Sequence, residues 1–462
     1  MQEKPNQVKL SRRKFLWTVA ATGLSVGALP LLASCAPATG PAAPASQAGE
    51  AAAPGEEAIT LTLNMRAGGD QSEPAIYVRR PAKFMEENPN IKIELVPIPG
   101  EEYDAKILTS ASAGTVADCL FTSDVWTLHT RLSKLGVIAA VDDQLEAHGI
   151  SKDEWLPAAV NTLTHEGVMY GLPKASQPGD AYLWLNNSLF EEAGIPIPEM
   201  TGSTPEDVAA WAEAIARGPE DDREVYGIMP ANSGIQAIVN GVRQFGTYEN
   251  NEEGTESLAD NEQWFAWAKW NKDFYDKGLA AVEASLPTGG SAALFLAGRL
   301  GILHSQRSMY RRVIEGMKES ENQFEWTVIQ FPRGPEAKGW GASVDTHSVS
   351  TNSTHPDEAF QFIYALADET FARYVAEDQG YLTARIDDLE TVDDIKTPFL
   401  ELQYQCMLEE ERFHQPANAR GKEVETVLVN ELSKLWLGEE QLSEAFMANV
   451  KAAVDEVLDK PF

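Results

Sequence analysis

Cysteine is scarce in this 462-residue chain: the three present are Cys35, Cys119 and Cys406. Their spacing supports neither a disulfide framework nor a metal site, and Cys119 and Cys406 are expected as buried free thiols. Basic residues are also few, 37 Lys plus Arg against 70 Asp plus Glu, for a net charge of −33. A surface of that sign repels phosphate backbones and anionic headgroups, which excludes nucleic-acid binding and an electrostatic grip on lipid. A spanning helix needs about 20 strongly apolar residues. The longest weakly apolar stretch, Val19 to Leu32, is shorter and is interrupted by Gly23, Gly27 and Pro30.

Catalytic signatures are missing too. There is no G-x-S-x-G elbow or H-E-x-x-H pair, and Gly334 to Gly339 has P-loop spacing but is followed by Trp340 instead of Lys. Gly68-Gly69 lacks the G-x-G-x-x-G spacing of a dinucleotide site, and Asn250 to Glu256 lacks the ligand order of a calcium loop. No cofactor, metal or catalytic residue is expected. The rival reading is a secreted polysaccharide-active hydrolase with paired carboxylates, since so acidic a chain contains such pairs by chance.

What is present begins with an export pattern. Ser11-Arg12-Arg13-Lys14-Phe15-Leu16 carries paired arginines, the apolar stretch follows, and Leu32-Ala33-Ser34-Cys35 is a lipobox. Residues 1–34 are therefore expected to be a Tat-type lipoprotein signal peptide, cleaved before a lipidated Cys35. Residues 35–58, nearly all Ala, Pro, Gly, Ser, Gln and Glu, have no apolar surface to bury and read as a flexible tether. The expected location is the outer face of the cell membrane, toward the periplasm or the cell exterior.

From Ile59 onward the chain is too long for one core and predicts two lobes. Ile59 to Met65 and Ile91 to Leu95 alternate as half-buried strands do. Helical stretches from about Pro74 to Glu87 and from Glu101 to Ala113 separate them from each other and from the apolar Ala117 to Phe121. The result is a βαβαβ opening, a parallel sheet and an α/β fold. Pro205 after Thr204, and Pro356, mark helix starts. Leu442, Phe446, Val450, Ala453, Val457 and Leu458 form the stripe of a terminal helix.

The run Tyr170-Gly171-Leu172-Pro173, Leu183 to Asn187 and Leu189-Phe190-Glu191-Glu192-Ala193-Gly194-Ile195-Pro196 resembles a motif of the family 1 extracellular solute-binding proteins, the maltose-binding-protein-like group. Gln244-Phe245-Gly246, Asp273 to Leu279, Phe331 to Pro335 and His355 to Phe360 are similar to further blocks of that family. The resemblance spans most of Ile59 to Leu458. It implies a two-lobed periplasmic-binding-protein-like fold (type II), with hinge crossings near 176–181, 343 and 376. Lobe 1 would be 59–177 and 343–376, and lobe 2 would be 178–342 and 377–462. It further implies a monomeric binding component of an ABC importer, closing on a carbohydrate and handing it to permease subunits. A sensory or structural lipoprotein with the same body is the remaining alternative.

Ligands of open parallel sheets lie beyond the carboxyl ends of the strands. That rule nominates Asp70 after the first strand and Ser123, Asp124 and Trp126 after the third. Trp126 reads equally as a core aromatic, and Asp124 as a helix cap. The first crossing adds Gln177 and Asp180, which also suit a turn around Pro178-Gly179. From the second lobe come Asn232, Ser233 and Gln236. His304 and Arg307 stand where relatives place ligand contacts, although Arg307 also suits a salt bridge. Where many relatives have Gly-Pro-Trp after the second-lobe strand this chain has Gly301-Ile302-Leu303-His304-Ser305-Gln306-Arg307, polar and basic groups in place of a stacking Trp, and His304 and Arg307 motivate a carboxylated or phosphorylated sugar. Trp340 beside Gly341 is nominated as a stacking platform, with Tyr381 and Arg420 completing the set.

Overall fold

Strand β1 (Ile59–Ala67) pairs in parallel with β2 (Ile91–Pro99), from Ile59 opposite Ile91 to Ala67 opposite Pro99. The computed structural model describes residues 58–67, 73–124, 127–219, 223–232, 234–282, 285–320 and 322–462. The signal, the tether and Cys35 lie outside them. β3 (Cys119–Ser123) adds to the other edge of β1 in parallel, so all three strands end on one side of the sheet. A small hairpin of β4 (Thr164–His165) and β5 (Val168–Met169) precedes β6 (Leu172–Pro178).

After β6 the chain leaves this sheet. β7 (Tyr182–Asn186), β8 (Tyr226–Met229), β9 (Leu300–Ser305) and β10 (Trp326–Gln330) make a second sheet in the order β10-β7-β9-β8. Then β11 (Trp340–Val349) returns to the first sheet, where it runs antiparallel to both β3 and β6, and β12 (Glu410–Glu411) pairs with its first residues. Two crossings are thus residues 179–181, between β6 and β7, and residues 331–339, between β10 and β11.

Burial follows the two sheets. One core gathers Leu61, Leu63, Ile93 and Cys119 with Phe360, Phe362 and Ile363; the other gathers Trp184, Leu185, Ile228, Ile302, Val313 and Ile329. A third cluster packs Ile238, Val242, Trp264 and Trp267 against Leu432 and Val450. The third crossing is later and longer than the expected position near 376. Tyr381, Leu382 and Leu400 still pack with the first core, and Phe399, Leu402 and Cys406 pack with the second. The third crossing therefore runs from Tyr381 to the end of helix Pro398–Leu408, which carries the passage on its two faces. Periodicity cannot show this, because both faces are apolar.

The expected helix starts hold. Thr204 and Asp207 form a reciprocal capping box on helix Pro205–Ile215, and Pro356 opens helix Pro356–Ala365 at its first position. The terminal helix Glu444–Leu458 buries Phe446, Val450, Val457 and Leu458 as expected, with Met447 and Val454 in addition, whereas Ala453 is half-buried and Leu442 precedes the helix. The second helix starts at Tyr103 after a short 3₁₀ turn, and β3 runs from Cys119 to Ser123, two residues beyond the expected strand. Cys119 and Cys406 are buried free thiols, and burial pushes the Cys406 thiol up to about 12.

Candidate functional site

A chain of polar contacts runs from the carboxyl end of β3 along β11 to the first crossing, and from there to the carboxyl ends of β8 and β9. At the end of β3, Ser123 is paired with Asp345, and the Asp124 amide donates to the Val344 carbonyl at 3.1 Å. Two positions along β11, Ser343 stands opposite Gln177 and accepts a hydrogen bond from the Gln236 amide at 2.9 Å. Gln236 opens helix Ile235–Gln244, which lies flush against the crossing strands. Asn240 of that helix donates to the Gly179 carbonyl and accepts from the Gly341 amide, both at 2.7 Å.

Only glycine fits at Gly179, where an added Cβ would lie 2.6 Å from the Gln236 Cβ. Immediately after it, Asp180 adopts a left-handed φ of 50°, a conformation that short polar side chains tolerate best. Its carbonyl accepts from His304 Nε2 at 2.5 Å, while His304 Nδ1 accepts from the Ala231 amide at 3.1 Å. Those two partners define the imidazole as the neutral Nε2–H tautomer, and burial holds its pKa down to about 4. His304 is therefore a strut between the β8 loop and the crossing. Asn232, on the same loop, donates to the Tyr275 hydroxyl at 3.2 Å.

Three acceptors on this line have no partner among the described residues. Ser123 Oγ and Asp124 Oδ2 are buried without a hydrogen bond, whereas Asp124 Oδ1 accepts from the Thr130 amide at 3.1 Å and its hydroxyl at 2.8 Å. One oxygen thus serves the first turn of helix Leu128–Lys134, as the capping reading expects, and the other is left over. The half-buried Asp180 carboxyl receives no hydrogen bond from the described residues either. Burial alone pushes Asp180 up to about 7, and burial, partly offset by Thr130, pushes Asp124 up to about 6. Such groups are suited to receive hydroxyls from a ligand that excludes water.

The remaining nominated residues are placed elsewhere. Trp340 is wholly buried in the second core, and its amide donates to the Glu409 carbonyl at 3.0 Å. Gly341 faces helix Ile235–Gln244 and Phe413, whose ring carbon would be 2.9 Å from an added Cβ. Its missing side chain serves helix packing. Arg420 donates to the Pro461 carbonyl and pairs with Glu423, holding the C-terminal residues. Arg307 donates to the carbonyls of Ser176 and Leu382 and stacks on Tyr381, with its guanidinium carbon 4.0 Å from the ring centre. Neither reading of Arg307, as ligand grip or salt bridge, describes that geometry. Asp70, Trp126 and Ser233 lie outside the described residues.

Apart from Arg420, sequence reasoning missed a segment that meets the first lobe. Gln415 donates to the Asp124 carbonyl, the Gly421 amide donates to Thr127 Oγ1 at 2.9 Å, and Lys134 donates to the Ala417 carbonyl at 2.8 Å. Residues 412–421 thus touch the mouth of the site from the second-lobe side. Their backbone carries most of these contacts, so no side-chain pattern could have announced them.

A pH dependence follows from the buried carboxyls. Burial raises Glu410 to about 8 and Asp388 to about 7, along with Asp180. A raised acid stabilises the fold fully below its unfolded pKa, and that stability is lost as pH rises through the folded value. Burial holds His129, His165, His304 and His347 below the ordinary imidazole range, so these rings are already neutral in the folded protein at pH 7 and do not mask the carboxyls. Thermal unfolding between pH 7 and 9 should show Tm falling by several degrees, with a smaller fall in Glu410→Gln; a flat profile would contradict the protonated state of Glu410.

A model of the family described as bacterial extracellular solute-binding protein matches residues 69–372. Solved structures with the same fold include an ABC substrate-binding protein from Listeria monocytogenes in complex with cycloalternan. It is 18% identical with a TM-score of 0.73, and the match covers 87% of this chain and 99% of that one. The GacH receptor of Streptomyces glaucescens, solved unliganded and with acarbose, is also 18% identical, with a TM-score of 0.73 over 88% of this chain and 100% of its own. The sugar-binding protein MalE from Xanthomonas citri is 16% identical, with a TM-score of 0.70 over 86% and 97%. At these identities the likeness establishes the two-lobed α/β fold. No curated protein matches the chain.

Proposed function

The chain belongs to the bacterial extracellular solute-binding proteins, and from that premise we propose that it binds a carbohydrate between its lobes and delivers it to an ABC permease. The observation that carries this reading is a set of acceptors, the buried Ser123 Oγ and Asp124 Oδ2 at the end of β3 and the half-buried Asp180 carboxyl at the first crossing, that no described residue satisfies. A rim of hydroxyls is the ligand chemistry that satisfies several acceptors at once. Neighbours of the same fold bind cycloalternan and acarbose, which supports the class.

The site favours an uncharged sugar over the anionic one expected from His304 and Arg307. His304 is neutral with both ring nitrogens engaged, and the Nη1 of Arg307 is held by two backbone carbonyls. The free groups are acids raised by burial, which offer a carboxylate or phosphate no positive charge. Hinge closure needs no bond to be made or broken, and the family's members are binding proteins, so we infer that the chain is no enzyme. Lipidation at Cys35 after Tat export, permease partners and a monomeric state complete the proposal, with the last lobe boundary moved from 376 to the stretch 381–408.

Titration calorimetry with maltose, mannobiose, glucuronate and glucose 6-phosphate tests it. A neutral sugar should release heat and the two anions should not. Asp180→Asn should weaken the neutral sugar about tenfold or more, the loss of a hydrogen bond to a charged or ionisable group. Binding confined to the anions would overturn the charge argument.

A further inference from the structure

The first and third crossings meet at one buried cation, Arg307, and the second is tied to it through one further residue. Arg307 follows β9 on the second lobe, leads into helix Met309–Glu319 and is 4% exposed. Its Nη1 donates at 2.9 Å to the Ser176 carbonyl on β6, just before the first crossing, and at 3.0 Å to the Leu382 carbonyl on the third. Tyr381 of the third crossing stacks on the guanidinium. The second crossing joins through Ser176, whose hydroxyl donates to Glu410; that residue is paired with Trp340 at the start of β11.

Among the described residues no carboxylate forms an ion pair with Arg307. A buried cation that no carboxylate touches, and that has only a Coulomb interaction with nearby Glu410, is costly unless other groups replace its water. Here two carbonyls and a π face do so, and they come from separate crossings. Their favourable arrangement exists only while the first and third crossings keep their positions relative to the second lobe. Moving either one strips a donor of its acceptor inside the protein, which costs far more than exposing it to water.

We propose that Arg307 is a positioning residue of the hinge: it registers the first and third crossings against the second lobe and so governs how readily the lobes close, without touching the sugar. This rests on the reading of the chain as a protein that closes on its ligand. The role differs from that of Asp180, a direct hydroxyl acceptor, because it acts on every ligand alike.

The test uses Arg307→Met, which keeps the apolar stem, and Arg307→Lys, which keeps the charge but loses the planar donor pair. Backbone hydrogen exchange is followed in the ligand-free protein, and affinities are measured for maltose, mannobiose and acarbose. Exchange over residues 174–182 and 380–384 should rise about tenfold in Arg307→Met while the β1 and β2 amides keep their protection. Arg307→Lys should fall between it and the parent. Affinities of the probes that bind should shift by a common factor. Unchanged exchange at either crossing overturns the proposal, as does loss of one sugar with the others retained, since that marks a ligand contact. Exchange raised everywhere marks a merely stabilising residue and also overturns it. If Arg307→Met does not fold, Arg307→Lys decides by the same readouts; if no probe binds, exchange decides alone and only the sugar reading fails.

Discussion

Arg243→Met should destabilise the protein by about 3 to 5 kcal/mol, the cost of leaving one member of a buried ion pair alone. Arg243 is fully buried on helix Ile235–Gln244 and meets Glu249 through two parallel bonds of 3.0 Å. It also donates to the Arg412 carbonyl at 3.0 Å, while Glu249 accepts from the His414 amide at 2.6 Å. Burial pushes Glu249 upward, and Arg243 more than offsets it, leaving the carboxyl below its ordinary range. Without the guanidinium, Glu249 is a charge in the interior with a single amide for company. The damage should also reach the site, because residues 412–414 lead directly to Gln415 and its bond to Asp124. Urea denaturation should show the loss, and adding Glu249→Leu should recover much of it. A single-variant loss below about 1 kcal/mol would show that the pair is solvated and this account of it mistaken.

Gly227→Ala is expected to cost about 3 kcal/mol, at the upper end for overpacking, because the obstacle is backbone. A Cβ at Gly227 would lie 2.0 Å from the Ala212 carbonyl oxygen and 2.6 Å from its carbon. A side chain could rotate away from such a clash; helix Pro205–Ile215 must retreat as a body. Gly301, beside it on β9, is similarly pressed by Ile215, so the helix lies on a flat glycine floor formed by the two strands. Their carboxyl ends carry the Ala231–His304 contact, so sugar affinity should fall along with Tm. A variant with parental Tm would mean that the helix sits farther from β8 than described.

The elements were legible where local chemistry decides them. Alternation announced β1 and β2, and Thr204-Pro205 announced a capped helix. The Tyr170 to Pro196 run, through its family resemblance, announced the first crossing. The direction of ambivalent side chains was not legible. Arg307, Trp340 and Arg420 each combine an apolar body with polar atoms, and what they face is decided by Leu382, by the second core and by Pro461. Asn240 and Glu410, which tie the crossings together, belong to no motif. They gain their roles from contacts distant in sequence, such as Glu410 with Ser176.

The central claim, that a neutral sugar is held between the lobes, is tested most directly by thermal unfolding with and without a panel of neutral oligosaccharides, sugar acids, sugar phosphates, amino acids and polyamines. A ligand at about 100 times its dissociation constant adds about 2.7 kcal/mol. The account predicts a clear rise in Tm with one or more neutral sugars, recovered unaltered afterwards, and none with the anionic sugars. A rise only with anions, amino acids or polyamines, or conversion of the sugar into products, would contradict it.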